Sequence, residues 1–304
     1  MTVKVGDQSL GEASRRFARR AWERLTLRES LFVMPAVAYS VGMLAYYLFV
    51  GSVLQFLPAL FVLAAVPLVA VLGSYREVTK PWVPFVTLML CYEALQGAVG
   101  SFAATRGLFS VYSIDKMIWG FNVTGWVQST FYSPAMTLFA TFFYSLHLPL
   151  VVVTSVGLWR FRRQLFGKYV TVMVLTSYAA LITFIIVPTA PPWYQGVAGD
   201  LFYGGSSSAL PSGLLNFVSA FESDKFAAFP SLHAAYAIIF SYFMVKLDRR
   251  LAFVAIPITS AILFSTLYLG QHYLIDLIAG AVFALIPCLI AERLWTVPNS
   301  TGSV

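Results

Sequence analysis

The sequence predicts an all-α membrane protein with about eight transmembrane helices and both termini in the cytoplasm. Hydrophobic residues make up 59% of the 304 positions and charged residues 11%, and the mean hydropathy is +0.77. This composition is far from that of a soluble globular domain. Eight apolar stretches approach the roughly 20 residues that a bilayer-spanning helix needs. They run over about 31–50, 54–73, 82–100, 134–157, 168–188, 228–245, 251–269 and 272–291.

The net charge of +7 follows the predicted topology. With the N-terminus inside, 17 of the 20 Lys and Arg residues fall in inner segments, and only Arg106, Lys116 and Lys225 fall in outer ones. Cytoplasmic segments of membrane proteins carry such an excess of positive residues. The charge therefore indicates a membrane as the partner and no nucleic acid.

The N-terminal part of the chain is predicted to be peripheral. The basic leader over 1–30 either forms a short interfacial helix or follows the positive-inside rule alone. The apolar pair over 31–73 holds almost no polar side chains and leaves surface through which two copies of the chain can pack as a homo-oligomer. We expect the catalytic membrane domain over 82–292 and a cytoplasmic tail over 293–304.

Two ionisable residues fall at similar depth inside predicted helices. Glu93 lies near the middle of the third apolar stretch, and His147 lies in the fourth. An ionisable side chain at such depth is costly unless it is paired or faces water. We expect a Glu93–His147 hydrogen bond that clamps the two helices, with a contact to substrate as the alternative.

Two long outer segments have the composition of elements at the headgroup layer. The aromatic-rich segment 101–133 is predicted to be amphipathic or re-entrant, and it either roofs a lipid site or forms an ordinary aromatic belt. The segment 189–227 holds Pro191, Pro192, Trp193 and Tyr194, which either line a site from above or anchor the loop at the interface.

The pattern that indicates chemistry lies between 229 and 276. Phe-Pro-Ser-Leu-His ends at His233, and Ser-Thr-x-Tyr-Leu-x-x-His-Tyr-x-x-Asp begins at Ser265. His233 and His272 are two of only three histidines, and the topology puts both on the extracytoplasmic or lumenal side. His272 and Asp276 are spaced i,i+4, so the carboxylate can hold the imidazole in one tautomer and leave its other nitrogen free to attack.

These motifs resemble the type-2 phosphatidic acid phosphatase superfamily, whose signatures read K-x6-R-P, P-S-G-H and S-R-x5-H-x3-D. The second signature is matched except at Leu232, and the third is matched except at Thr266, where the family has arginine. The first signature is missing, and Ala-Pro-Pro-Trp-Tyr stands at 190–194 instead. The chain is thereby similar to the inositol phosphorylceramide synthase branch. The resemblance implies a six-helix phosphatase-type core, here with two extra N-terminal helices.

The resemblance and the residues together predict a lipid phosphotransferase that needs no metal or cofactor. His272 attacks phosphorus, Asp276 orients it, and His233 protonates the leaving alkoxide, which gives a phosphohistidine intermediate. Three His with no Cys near them do not form a zinc set, and no carboxylate cluster offers a magnesium site. The expected substrate contacts are Pro230, Ser231, Ser265, Thr266, Lys225, Pro191, Pro192, Trp193 and Tyr194.

The missing cations favour a phosphodiester substrate. A diester carries one negative charge, so it needs less compensation than a phosphate monoester. This favours transfer from a phospholipid such as phosphatidylinositol to a lipid hydroxyl, with Lys225 as the remaining candidate cation. Two alternatives stay open: a lipid phosphate or polyprenyl pyrophosphate phosphatase with the same histidines, and a transporter in which Glu93, His147 and Asp276 form an ion path.

Overall fold

The computed structural model describes residues 75–96, 99–202 and 226–294. The predicted leader, the peripheral pair, Lys225 and the residues after 294 lie outside these ranges. Within them the regular elements are helices, and isolated bridges join Phe109, Thr189 and Ala227 without forming a strand. The placement of both termini and the total of eight spans therefore stay predictions.

Ten α-helices and one 3-10 turn make up the described part of the chain. The helices are α1 (Tyr75–Gln96), α2 (Val99–Arg106), α3 (Tyr112–Trp119), α4 (Val123–Phe131), α5 (Pro134–Ser145), α6 (His147–Phe161), α7 (Arg163–Ile186), α8 (Leu232–Leu247), α9 (Ala252–Tyr268) and α10 (Leu274–Leu294). The 3-10 turn Arg249–Leu251 joins α8 to α9.

Three helical segments of the described residues are long and apolar enough to cross a membrane: Arg163–Ile186, Arg249–Tyr268 and Leu274–Leu294. The pair α5 and α6 meets the same test only when it is counted as one span with a 45° bend. The sequence predicts six spans in this region. One difference is α8, which is apolar but 16 residues long, because Pro230 and Ser231 delay its start beyond the predicted 228.

The stretch 134–157, which the sequence predicts as one helix, is divided at Leu146. Ser133 caps α5 by accepting a hydrogen bond from the backbone N–H of Met136, and Pro134 occupies the first turn. Pro149 has no N–H to donate to the carbonyl of Ser145, so the helix cannot continue regularly there. The second helix starts afresh at His147, with Pro149 tolerated in its first turn.

The core of the bundle forms around α7 and α8. α7 packs against α1, α6, α8 and α10, and α8 also packs against α6, α9 and α10. Aromatic rings fill the contacts: Trp82 of α1 lies 5.0 Å from Phe166 of α7, and Tyr169 of α7 lies 5.2 Å from Phe243 of α8. These rings belong to one hydrophobic core that packs α1, α7 and α8 together.

One end of the bundle is closed by a cluster around Glu292. Lys168 Nζ lies 2.6 Å from Glu292 Oε2, and Lys246 Nζ lies 3.0 Å from Oε1. The Tyr242 hydroxyl also donates to Oε1, at 2.8 Å. The cluster ties α7, α8 and α10 together at the last turn of α8, whereas His233 lies in its first turn at the opposite end.

Candidate active site

His272 is placed by a tight turn between α9 and α10. Gly270 has a φ of +78°, a conformation that other residues rarely adopt. The backbone N–H groups of Gln271 and His272 both donate to the carbonyl of Thr266, at 3.1 and 3.3 Å. A Cβ at Gly270 would lie 2.5 Å from the carbonyl oxygen of Gly199, so this position has room only for glycine. The turn holds His272 directly before the first turn of α10.

The hydrogen bonds of His272 define which ring nitrogen is free. Nδ1 lies 3.0 Å from the carbonyl oxygen of Ala228 and 3.5 Å from Asp276 Oδ2. A carbonyl only accepts, so Nδ1 carries the proton and Nε2 holds the lone pair. Nε2 in turn lies 3.4 Å from Nδ1 of His233. The i,i+4 spacing correctly brings Asp276 to His272, but the Ala228 carbonyl is a nearer partner that local spacing does not indicate.

Two buried carboxylates lie at the start of α10. Asp276 Oδ2 accepts a hydrogen bond from the Tyr273 N–H at 2.8 Å, as a residue in the first turn of a helix often does. Asp115 of α3 accepts from the Ile275 N–H at 2.9 Å. Burial raises the pKa of the Asp115 carboxyl, and the N–H groups of Ile275 and Leu274 oppose that rise. Asp115, which the sequence interpretation missed, thus fastens α3 to the helix that follows His272.

Ser231 begins α8 and joins it to α10. Its side chain accepts a hydrogen bond from the Ala234 N–H at 3.3 Å, so Ser231 is the N-cap. Its own N–H donates to the carbonyl of Asp276 at 3.0 Å. Both Pro230 and Ser231 are buried. The first N–H groups of a helix have no acceptor within it, so the start of α8 retains donors for an anion.

His233 is held between two aromatic rings from the break between α5 and α6. The Tyr144 ring stacks on it at 4.1 Å with a 20° interplanar angle, and the His147 ring lies 3.9 Å away. His147 Nδ1 donates to the Tyr144 carbonyl at 2.9 Å, which fixes both rings. The sequence analysis did not identify Tyr144. Pro149 does indicate a break between α5 and α6, and Tyr144 lies next to that break.

The expected hydrogen bond between Glu93 and His147 is not formed. Within the described ranges Glu93 has no hydrogen-bond or ion-pair partner, and the His147 ring packs against His233 instead. Matching depth in two helices does not specify the rotation of each helix about its own axis. His147 therefore belongs to the surroundings of His233 and not to a clamp on α1.

Ser265 and Thr266 use their hydroxyl hydrogens within their own helix. Both are completely buried. Ser265 donates to the Ala261 carbonyl at 2.6 Å, and Thr266 donates to the Leu263 carbonyl at 2.8 Å. The Thr266 carbonyl accepts the N–H groups of the turn that carries His272. These contacts indicate that the two residues shape this turn.

The Pro-Pro-Trp-Tyr segment lies on the same turn. The Trp193 N–H donates to the Gly270 carbonyl at 3.2 Å, and its indole Nε1 donates to Gln271 Oε1 at 3.0 Å. Pro191 and Pro192 are buried, whereas Tyr194 is half exposed. Trp193 is thus fixed to the residue before His272. Lys225 is outside the described residues, so its expected contact stays a prediction.

The first outer segment covers the turn with α3 and α4. Thr124 donates to the carbonyl of His272 at 3.1 Å, and Gln128 Nε2 donates to the carbonyls of Tyr268 and Gly199 at 3.0 and 2.7 Å. These helices and the turn between them expose apolar side chains. They belong to Ile114, Met117, Ile118, Trp119, Phe121 and Trp126. α3 and α4 thus combine polar contacts to the turn with exposed apolar side chains, and whether the segment roofs a lipid site or forms an aromatic belt stays a prediction.

The described residues contain no group of three or more His, Cys, Asp and Glu arranged to hold a metal ion. The Nδ1 atoms of His147 and His272 are both bonded to backbone carbonyls. The cluster offers the unprotonated Nε2 of His272, which lies 3.4 Å from His233 Nδ1, and the Nε2 of His233, which has no hydrogen-bond partner among the described residues.

Comparison with protein families decides the membership of the chain. The model of the PAP2 superfamily matches residues 110–290, which include α3, α4 and all residues around His272. The chain belongs to the PAP2 superfamily. The matched residues include those that surround His233 and His272, from Asp115 to Asp276.

Relatives of this chain are named as inositol phosphorylceramide or phosphoinositol dihydroceramide synthases. A phosphoinositol dihydroceramide synthase of Bacteroides thetaiotaomicron is 23% identical over 236 residues, covering 71% of this chain and 77% of that protein. An inositol phosphorylceramide synthase of Candida albicans is 35% identical over 109 residues, or 32% of this chain and 23% of that protein. The catalytic subunit from Schizosaccharomyces pombe is 28% identical over 128 residues, or 38% and 30%.

The matched stretch spans only about a quarter to a third of these two fungal proteins. Among solved structures, none matches this chain significantly. The similarity of this chain to its relatives is therefore a similarity of sequence. In the bacterial relative it covers 71% of this chain.

Proposed function

We propose that this chain is an integral-membrane lipid phosphotransferase that moves phosphoinositol from phosphatidylinositol to a lipid hydroxyl through a phosphohistidine, without a metal. The observation that carries the proposal is the placement of the unprotonated Nε2 of His272, which lies 3.4 Å from Nδ1 of His233. Its Nδ1 proton is held by the Ala228 carbonyl beside Asp276. An imidazole whose one nitrogen is held in its protonated form, and whose other nitrogen keeps its lone pair, is oriented as a nucleophile.

In the first half of the reaction the lone pair of His272 Nε2 attacks phosphorus. The bond between phosphorus and the diacylglycerol oxygen breaks, and protonated His233 gives its proton to that oxygen. The ring of His272 becomes positively charged when Nε2 is bonded to phosphorus. The Ala228 carbonyl and the Asp276 carboxylate stabilise the N–H on the other side of that ring.

In the second half the acceptor hydroxyl replaces His272 on phosphorus. His233, now neutral, takes the proton of the hydroxyl as the new phosphorus–oxygen bond forms and the phosphorus–nitrogen bond breaks. The protonated His233 and the neutral His272 are thereby restored. The leaving oxygen of the donor and the attacking oxygen of the acceptor occupy the same side of phosphorus, one after the other. His233 can therefore act as the acid in the first half and as the base in the second.

The choice of a diester donor is supported by the charges around the site. Among the described residues, no Lys or Arg side chain is hydrogen-bonded to His233, His272 or Asp276. A monoester or pyrophosphate with more charge would demand such partners. The names of the relatives support phosphoinositol as the transferred group and a ceramide-type lipid as the acceptor.

The extracytoplasmic or lumenal placement of the site is part of the proposal. The Glu292 cluster, with Lys168 and Lys246, marks the end of the bundle that the positive-inside rule assigns to the cytoplasm. His233 lies at the other end of α8. We extend this to eight spans with cytoplasmic termini and a catalytic domain over 82–292. A homo-oligomer through the apolar N-terminal pair also stays a proposal.

The test is transfer of label from phosphatidylinositol tritiated in the inositol ring. The purified full-length protein in mixed micelles receives this donor together with ceramide as the acceptor. We expect the label to appear in a new chloroform-soluble lipid. Label that appears only in water as inositol phosphate would make the protein a hydrolase. Release of inorganic phosphate from phosphatidic acid in the same micelles would favour the phosphatase alternative, and transport of ions without turnover would favour the transporter.

Gly280→Ala is expected to destabilise the protein by about 1–3 kcal/mol through overpacking. A Cβ at Gly280 would overlap the carbonyl oxygen of Ser231 and lie 3.1 Å from Ala234 Cβ. α10 would have to move away from the start of α8, which separates His272 from His233. A displacement of about 1 Å costs about 10²-fold in rate. Thermal unfolding and the labelled-donor assay measure the two effects.

The matched control for this substitution is Gly157→Ala in α6. A Cβ at Gly157 meets no atom within 4 Å, so this variant is expected to be as stable as the wild type or slightly more stable. Equal behaviour of the two alanine variants would show that the contact between α8 and α10 does not set the geometry of the site.

A further inference from the structure

Gln271, the residue before His272, has a side-chain amide that is fixed at one end. It is only 5% exposed. Its Oε1 accepts the indole N–H of Trp193 at 3.0 Å. An indole N–H is only a donor, so the oxygen of the amide must face Trp193 and the NH₂ group must point away from it. The orientation of Gln271 is thereby determined by the Pro-Pro-Trp segment.

The NH₂ group of Gln271 is buried without a hydrogen-bond partner in the described part of the chain. Buried donors are almost always satisfied, so an exception at this position calls for a ligand. Two further atoms of the site are in the same condition: His233 Nε2 and Asp276 Oδ1. Three unpartnered polar atoms therefore belong to the residues that surround one pair of imidazoles.

We propose that Gln271 is a phosphate-binding residue, whose Nε2 donates to a non-bridging oxygen of the donor phosphodiester when His272 attacks. This inference rests on the proposed function for the identity of the diester. An amide offers two N–H groups without a formal charge, which suits a group with one negative charge in a buried site. Gln271 would fill the role that Thr266 cannot take, because the Thr266 hydroxyl hydrogen is bonded inside its own helix.

Trp193 acts as a positioning residue in this arrangement. Without its N–H, nothing in the described structure prevents the Gln271 amide from turning its oxygen toward the phosphate. The backbone N–H of Trp193 also donates to Gly270, so the loop and the turn move as one unit. This gives the Pro-Pro-Trp segment a definite part in phosphate binding.

The experiment measures binding of glycerophosphoinositol, the deacylated form of the proposed donor, to the purified full-length protein in micelles by calorimetry. We expect Gln271→Leu to weaken binding about tenfold, as loss of a hydrogen bond to a charged group does. Gln271→Glu keeps the volume and the bond to Trp193 but turns a carboxylate toward the phosphate, so its loss should be larger. The Glu variant also provides the test if Gln271→Leu does not fold.

Two further variants separate phosphate binding from general damage to the loop. Gln195 lies in the same loop as Trp193, and its Oε1 accepts hydrogen bonds from the hydroxyls of Ser110 and Tyr273. Because it has no part in the proposed phosphate contact, the Gln195→Leu variant should bind glycerophosphoinositol within about twofold of the wild type. Trp193→Phe should weaken binding, and adding Gln271→Leu to it should cost less than Gln271→Leu alone. If the two substitutions weaken binding independently, so that their fold-losses multiply in the double variant, Trp193 does not position Gln271.

The outcomes separate this inference from the proposed function. Wild-type protein that binds the diester through Gln271 but transfers no phosphoinositol would overturn the function and keep the inference. Transfer by the wild type together with unchanged binding by Gln271→Leu and Gln271→Glu would overturn the inference and keep the function. Wild-type protein that binds no phosphodiester would overturn the inference as well.

Discussion

Replacing His272 with alanine is expected to lower phosphoinositol transfer at least about 10⁴-fold, because the variant lacks the nucleophile on which the other groups act. Nδ1 of the same ring also donates to the Ala228 carbonyl and lies 3.5 Å from Asp276 Oδ2. Losing the ring leaves the Ala228 carbonyl buried without its hydrogen bond, whereas Asp276 Oδ2 keeps the one from the Tyr273 N–H, and stability should fall by about 1–3 kcal/mol. The labelled-donor assay and thermal unfolding, run on the same preparation, distinguish the two losses.

The third histidine provides the control for this prediction. His147 packs on His233, and its Nδ1 is bonded to a backbone carbonyl, so it does not offer a nucleophile to phosphorus. We expect His147→Ala to retain measurable transfer at a reduced rate. If His272→Ala keeps more than a hundredth of wild-type activity while remaining folded, the nucleophile is a different residue.

The His-His-Asp arrangement could be predicted from the sequence because each part has a local signal. The i,i+4 spacing brings Asp276 to His272, and the Pro-Ser start of a helix places His233 at its first turn. Both histidines begin neighbouring segments at one end of the bundle. The topology, read from basic residues and apolar lengths, therefore suffices to predict that they meet.

The surroundings of these residues depend on contacts between distant parts of the chain. Ala228 and His272 are 44 positions apart, and Trp193 and Gln271 are 78 apart. No local spacing specifies such pairs. The same limit explains Glu93, since hydropathy gives the depth of a residue but not the direction in which its side chain points. The division at Leu146, in contrast, has a local cause in Pro149, which an apolar-length criterion does not weigh.

The role of His233 can be separated from its position by changing the leaving group of the donor. His233→Ala is expected to slow transfer from phosphatidylinositol by about 10²- to 10⁴-fold, the usual contribution of a general acid or base. A phosphoinositol diester of p-nitrophenol has a leaving group that departs without a proton. With this donor the variant should perform the first half of the reaction at a rate close to that of the wild type.

The second half still needs a base, so the variant should stop after one turnover. We expect a burst of one p-nitrophenol for each active protein molecule, followed by slow release, and phosphoinositol bound to His272 in the intact mass of the protein. Adding His272→Ala to the variant should abolish the burst, because the nitrogen that receives phosphorus is removed. If His233→Ala is equally slow with both donors, His233 does not protonate the leaving oxygen. Its contact with His272 Nε2 at 3.4 Å would then serve to align the nucleophile.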